Sequence, residues 1–114
     1  MPNKILQGKL CVITGASSGI GPAIVRRYAE AGATLVLCAR REEALSQLAN
    51  ECSDRYAAQC YVHSVDLTNA MDTDAFANAV LQDHQRVDVL VNNAGMGVQG
   101  TPLEGTCVFT IVHF

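Results

Sequence analysis

An α/β fold on a parallel sheet is the architecture this sequence predicts, and three observations predict it. Short apolar runs alternate with amphipathic stretches of helical period, the pattern of βαβ units. The runs are continuous rather than alternating, as expected of strands buried on both faces. A turn rich in glycine and serine joins the first run to the first helical stretch.

The elements follow in order. Leu10-Cys11-Val12-Ile13 is the first strand, and a helix from about Gly19 to Ala31 follows the turn. Ile20, Ala23, Ile24, Tyr28 and Ala31 recur at helical spacing, so they are the expected inward stripe. Pro22 falls in the first turn, where its missing N–H has no intrahelical partner, and Gly32 stands where a helix stops. Thr34 to Ala39 is the second strand. A helix from about Glu42 to Cys52 has Leu45, Leu48 and Cys52 on one face. Cys60 to Val65 is the third strand, and a helix over roughly Asp72 to His84 is expected to bury Phe76, Ala79 and Val80. Val87 to Val91 is the fourth strand and runs into Asn92-Asn93-Ala94-Gly95. A last apolar run, Cys107 to Val112, cannot be a parallel fifth strand. That needs a crossover of about a dozen residues or more, and the glycines and Pro102 between Met96 and Thr106 leave no room for a helix. Antiparallel pairing, packing across the sheet and a loose tail all stay open.

Composition narrows the function classes. The 114 residues allow one domain, and with 49% hydrophobic and 17% charged residues the chain can build a packed core. A formal charge of −3 with no run of Lys or Arg argues against a nucleic-acid partner. The stretch from Met1 to Lys9 is too short and polar for a signal peptide, and no apolar run approaches about 20 residues. A cytoplasmic protein without a membrane partner is expected. Of the five cysteines, Cys11, Cys38 and Cys60 lie in strand-like runs as small apolar residues. Cys60-x-x-His63 is the only short Cys/His spacing and falls short of the roughly four ligands of a zinc site, so no metal site is expected.

The candidate chemistry sits at strand ends. In Thr14-Gly15-Ala16-Ser17-Ser18-Gly19-Ile20-Gly21, glycines let the backbone turn and approach a ligand, and the helix start offers N–H groups and a positive dipole end. Gly15 is assigned to the turn, Gly19 to the approach to a pyrophosphate, and Gly21 to the packing of helix on strand. Ser17 and Ser18 offer hydroxyls to phosphate or ribose. An NAD site places an acidic residue about 20 positions further on, at the end of the second strand. Arg40 and Arg41 stand there instead, and a guanidinium suits a 2′-phosphate, so NADP(H) is favoured over NAD(H). Asp66 and Leu67 would flank the adenine, with Asp66 accepting from the exocyclic amine. Asn92, Asn93, Ala94 and Gly95 would run under the ribose and brace the neighbouring strand, and for Asn93 a purely structural role is an equal alternative.

Taken together, Thr14-Gly15-x-x-x-Gly19-x-Gly21, Ala39-Arg40-Arg41, Asp66-Leu67-Thr68 and Asn92-Asn93-Ala94-Gly95 resemble the short-chain dehydrogenase/reductase family, over about residues 5 to 104. The resemblance implies a Rossmann-type doubly wound sheet, truncated to about four strands in the order 3-2-1-4 with three helices. Residues 1–104 would be an NAD(P)-binding half-domain and 105–114 an atypical apolar tail. It also implies reversible carbonyl/alcohol oxidoreduction, carried in the family by a Tyr, a Lys four residues later and a Ser. Four residues after Tyr28, Tyr56 and Tyr61 stand Gly32, Cys60 and Val65, and the only lysines are Lys4 and Lys9. The chain alone is therefore expected to be inactive and to lack the family's homo-oligomer interface. The alternative is a catalytically inactive fragment that binds a nucleotide or a partner.

Overall fold

Burial on both faces turns the continuous apolar runs into central strands. The computed structural model describes residues 4–93 and 110–113. Leu10–Thr14 (β1) is buried at every position, and Thr34–Ala39 (β2) is buried at all but its two ends. Cys60–Ser64 (β3) is only partly covered, and Val89–Asn92 (β4) buries alternate residues. Between them run Gly21–Glu30 (α1), Glu42–Tyr56 (α2) and Ala70–His84 (α3), and Thr110–His113 (β5) comes last. The sheet order is β3-β2-β1-β4-β5. The first four strands are parallel, in the order and with the three helices expected.

Two apolar layers hold the sheet between the helices. On one face, Cys11, Ile13, Leu35, Leu37 and Val91 pack with Val25 and Ala29 of α1 and Leu45, Leu48 and Cys52 of α2. On the other, Leu10, Val12, Val36 and Cys38 meet Phe76 and Val80 of α3. At the amino-terminal edge of the sheet, Asp88 accepts from the Leu10 amide (2.8 Å) and from Arg86 Nε (3.1 Å), while Arg86 Nη2 donates to the Gly8 carbonyl (2.6 Å). This clasp ties β4 to β1, and it takes Asp88 out of the strand that the sequence extended back to Val87.

Several expectations need correction. Helix α1 starts at Gly21 rather than Gly19, because Gly19 has a left-handed φ of +57°. Its buried stripe is Gly21, Val25 and Ala29, whereas Ala23 is exposed and Ile20 is 40% exposed. Ile24 and Tyr28 flank the core rather than fill it. The buried set is the smaller one, and size-weighted hydrophobicity points one residue away. Helix α2 runs past Cys52 because Tyr56, one turn on, still packs on the core; Ala57 then ends it in a left-handed conformation (φ 57°). Asn69 starts α3 earlier than expected, its side chain accepting from the Asp72 amide at 3.1 Å. Ala79 is only partly buried. Of the terminal run, Cys107 to Phe109 lie outside the described residues, and Thr110–His113 pairs antiparallel: β5 lies along β4 from Val89↔His113 to Asn92↔Thr110.

Candidate functional site

Strand register alone brings the sequence motifs to one rim. Thr14 pairs with Cys38 and with Asn92, and Cys38 pairs with His63. The residues just beyond these (Gly15, Arg40, Asp66 and Asn93) therefore leave the sheet at its carboxyl edge, where open parallel sheets bind ligands.

The turn after β1 is shaped for an anion. Gly15 and Gly19 adopt φ of +59° and +57°, a region open to glycine at little steric cost. A Cβ on Gly21 would strike the carbonyl oxygens of Gly15 and Ala16, the latter at 2.7 Å. The close approach expected of Gly21 is thus to the turn's own backbone rather than to the strand. The turn is fastened to β2 by the Ala16 amide, which donates to the Cys38 carbonyl at 3.1 Å. Among the described residues, the Gly19 and Ile20 amides donate to no protein acceptor. Helix α1 also has no side-chain cap and no acidic residue in its first turn, whereas α2 has Glu42 and Glu43 and α3 has Asp72. The positive end of α1 is left uncompensated beside unpaired donors, which fits a phosphate. Ser17 is half-buried, and Ser18 and Ile20 are exposed on the same turn.

Asn93 is spent on holding that turn. It is 1% exposed, and its amide nitrogen donates to the Gly15 carbonyl (3.0 Å) and the Ser18 carbonyl (3.2 Å). Its backbone N–H donates to Thr14 Oγ1 at 3.1 Å, and that hydroxyl donates in turn to Asn92 Oδ1 at 2.9 Å. These bonds give the Asn93 side chain a bracing task. Its brace reaches across the rim to the glycine turn as well as to β1. Ala94 and Gly95 lie outside the described residues.

Across β2, Arg40 and Arg41 are exposed, and neither forms an ion pair among the described residues. The Arg40 carbonyl accepts from Ser64 Oγ of β3 at 2.9 Å, which fixes the chain where the guanidinium departs. Asp66 accepts twice at Oδ1, from the Thr68 hydroxyl (2.6 Å) and the Thr68 amide (3.0 Å). These bonds, with the attraction of Arg40, hold its carboxyl below the ordinary aspartate range, so it is an ionised acceptor near neutral pH. Leu67 points inward against the core on the α3 face. Thr68 was quoted in the Asp66-Leu67-Thr68 motif without a role of its own, although the Asp-x-Thr spacing is a legible turn signal; Ser64 was missed, and nothing local marks it.

Two other features sort themselves from this site. An apolar groove of about 630 Å³ runs between α3 and the sheet, past Leu67, Phe76, Val80 and Leu90 to Thr14 and Asn92. Among the described residues its lining carries no charge and does not suit a phosphate. Cys60 packs with the α1/α2 face, whereas the His63 ring meets Phe76 of α3 edge-on (centroids 5.2 Å apart), so the two point to opposite sides of the sheet. Among the described residues, no helix is long and apolar enough to cross a membrane.

Comparison with known proteins agrees with this geometry. A family model described as short chain dehydrogenase matches residues 9–108. A 3beta-hydroxysteroid dehydrogenase 2 of Eggerthella lenta is 39% identical over 94 residues, covering 82% of this chain and 36% of that protein. Among solved structures, L-sorbose reductase of Gluconobacter frateurii, complexed with NADPH and L-sorbose, superposes with a TM-score of 0.79 at 36% identity, over 90% of this chain and 39% of that one. A metagenomic short-chain oxidoreductase in complex with NADP gives 0.78 at 45% identity, over 86% and 44%. The chain thus spans well under half the length of each of these three proteins.

Proposed function

Because the chain belongs to the short chain dehydrogenase family, we propose that residues 1–104 are the NADP(H)-binding portion of an oxidoreductase that interconverts carbonyls and alcohols, with residues 105–114 as an atypical tail that adds the edge strand Thr110–His113 to the same sheet. The observation that carries this reading is a turn whose Gly19 and Ile20 amides are unpaired among the described residues, at the uncompensated start of α1, on the same sheet rim as an arginine with no ion pair among them. The pyrophosphate would sit on Gly15, Ser17, Ser18, Gly19 and Ile20, with Gly21 keeping α1 close behind them. Arg40, seconded by Arg41, would take the 2′-phosphate, Asp66 and Leu67 would border the adenine, and residues 92–95 would run beneath the ribose. Both nearby solved complexes carry the phosphorylated dinucleotide.

When bound, the nicotinamide supplies the hydride; this chain's residues bind and orient the other end of the cofactor. With no Tyr-x-x-x-Lys in the sequence, the chain alone is a binding unit without carbonyl reductase activity. Titration of the whole chain with NADPH and NADH tests the reading. A charge-assisted contact to the 2′-phosphate should favour NADPH by about tenfold or more. Arg40→Asp should abolish that preference, and an unchanged ratio rejects the assignment.

A further inference from the structure

Thr68 makes a paired contact that the fold does not require. Its hydroxyl and its amide both bind Asp66 Oδ1, at 2.6 and 3.0 Å, and these bonds set the orientation of the carboxylate. A turn of this kind often serves to start a helix, but α3 is already capped one residue later by the Asn69 side chain, at 3.1 Å from the Asp72 amide. The Asn69 amide also donates to the Asp66 carbonyl at 3.0 Å, so the backbone turn closes without the Thr68 side chain. What the hydroxyl adds is the aim of Asp66: Oδ1 is occupied, and Oδ2 has no partner among the described residues. Arg40, at the end of the neighbouring strand on the same rim, acts on the same carboxylate by charge. The bound oxygen faces the protein and its twin is presented as an ionised acceptor, which suits an N–H donor and repels a carbonyl oxygen.

We propose that Thr68 is a positioning residue for base selection: by holding Asp66, it makes the rim prefer a dinucleotide whose base carries an exocyclic amine over one with a carbonyl in that place. The inference rests on the reading of Asp66 as the adenine contact. Its test compares NADPH with the reduced hypoxanthine analogue of the same dinucleotide, which replaces the amine by a carbonyl. Binding of each to the whole chain is measured by nucleotide fluorescence in the wild type, Asp66→Ala, Thr68→Val and Thr68→Ser, with circular dichroism of each variant.

The wild type should favour adenine by about tenfold, the worth of one hydrogen bond to a charged group. Asp66→Ala should lose that preference. Thr68→Val should lose most of it while keeping the NADPH-over-NADH ratio, which depends on Arg40, and Thr68→Ser should restore it. A Thr68→Val protein that keeps the wild-type base preference while Asp66→Ala loses it overturns the role of Thr68 and leaves Asp66 standing. A wild type indifferent to the base overturns both readings. If Thr68→Val fails to fold, Thr68→Ser with its retained hydroxyl and Thr68→Ala with its smaller side chain carry the comparison: equal base preference in these two rejects the proposal.

Discussion

Replacing Gly21 by alanine sets two effects of opposite sign against each other. Gly21 is the first residue of α1 and its φ is not positive, so alanine meets no dihedral strain there. On helix propensity alone the substitution would stabilise, by at most about 1 kcal/mol. The new Cβ, however, would stand 2.7 Å from the Ala16 carbonyl oxygen, where ordinary contact begins near 3.4 Å, and closer still to that of Gly15. Both obstacles are backbone, so no rotamer change relieves them, and helix and turn must separate by more than half an ångström. Overpacking of this kind costs about 1–3 kcal/mol. The net expectation is a loss of about 1–2 kcal/mol, or roughly 5–10 °C in Tm for a domain of this size. Because the displaced atoms are the turn itself, affinity for NADPH should fall as well. Urea unfolding followed by circular dichroism and a nucleotide titration measure the two effects. A Gly21→Ala protein as stable as the parent, with unchanged affinity, would refute the close approach between helix and turn.

Two more outcomes follow from the same geometry. Asp88 is held below the ordinary aspartate pKa, chiefly by the Leu10 amide and then by Arg86 and Lys9, and Glu51 is held low by Arg26. A depressed carboxylate stabilises above its unfolded pKa of about 4, and this is lost as the pH falls through the lower folded value; the unfolding midpoint should drop below about pH 4, and Asp88→Asn should flatten that limb, a profile insensitive to the change arguing against the clasp. Deleting residues 109–114 removes β5 and uncovers the outer edge of β4. Each lost hydrogen bond is worth about 1 kcal/mol net, against backbone ordering of about 1–2 kcal/mol per residue, so unfolding free energy should change little. The exposed edge should instead associate, giving larger species with rising concentration in light scattering; a deletion variant no larger than the intact chain would contradict this.

Much of the site was legible because it is written in local chemistry. A glycine-rich turn between a strand and a helix, with Gly15 at its bend, and a basic pair after a strand are visible without coordinates, whereas the left-handed Gly19 that delays α1 to Gly21 is not. Their convergence needed only the parallel alternation of strands and helices, which sends every strand's carboxyl end to one rim. The two faces of α2 and most of α3 were equally plain, since Leu45, Leu48, Phe76 and Val80 keep helical period. The face of α1 was not. Gly21, Val25 and Ala29 are smaller than Ile20, Ile24 and Tyr28, and a hydrophobic pattern favours the larger set. At Gly21 the contact that decides is with the turn backbone, which leaves no room for a Cβ.

By itself, then, the sequence determined the order of strands and helices, the glycine turn at the start of α1 and the positive charge beyond β2, because each depends on residues adjacent in the chain. Only the tertiary structure decided that Asn93 braces the turn, that Ser64 holds the Arg40 carbonyl and that Thr110–His113 pairs antiparallel with β4. Each of these joins segments distant in sequence. A hydrogen bond of that kind is settled by the register and spacing of packed strands, which no local pattern encodes.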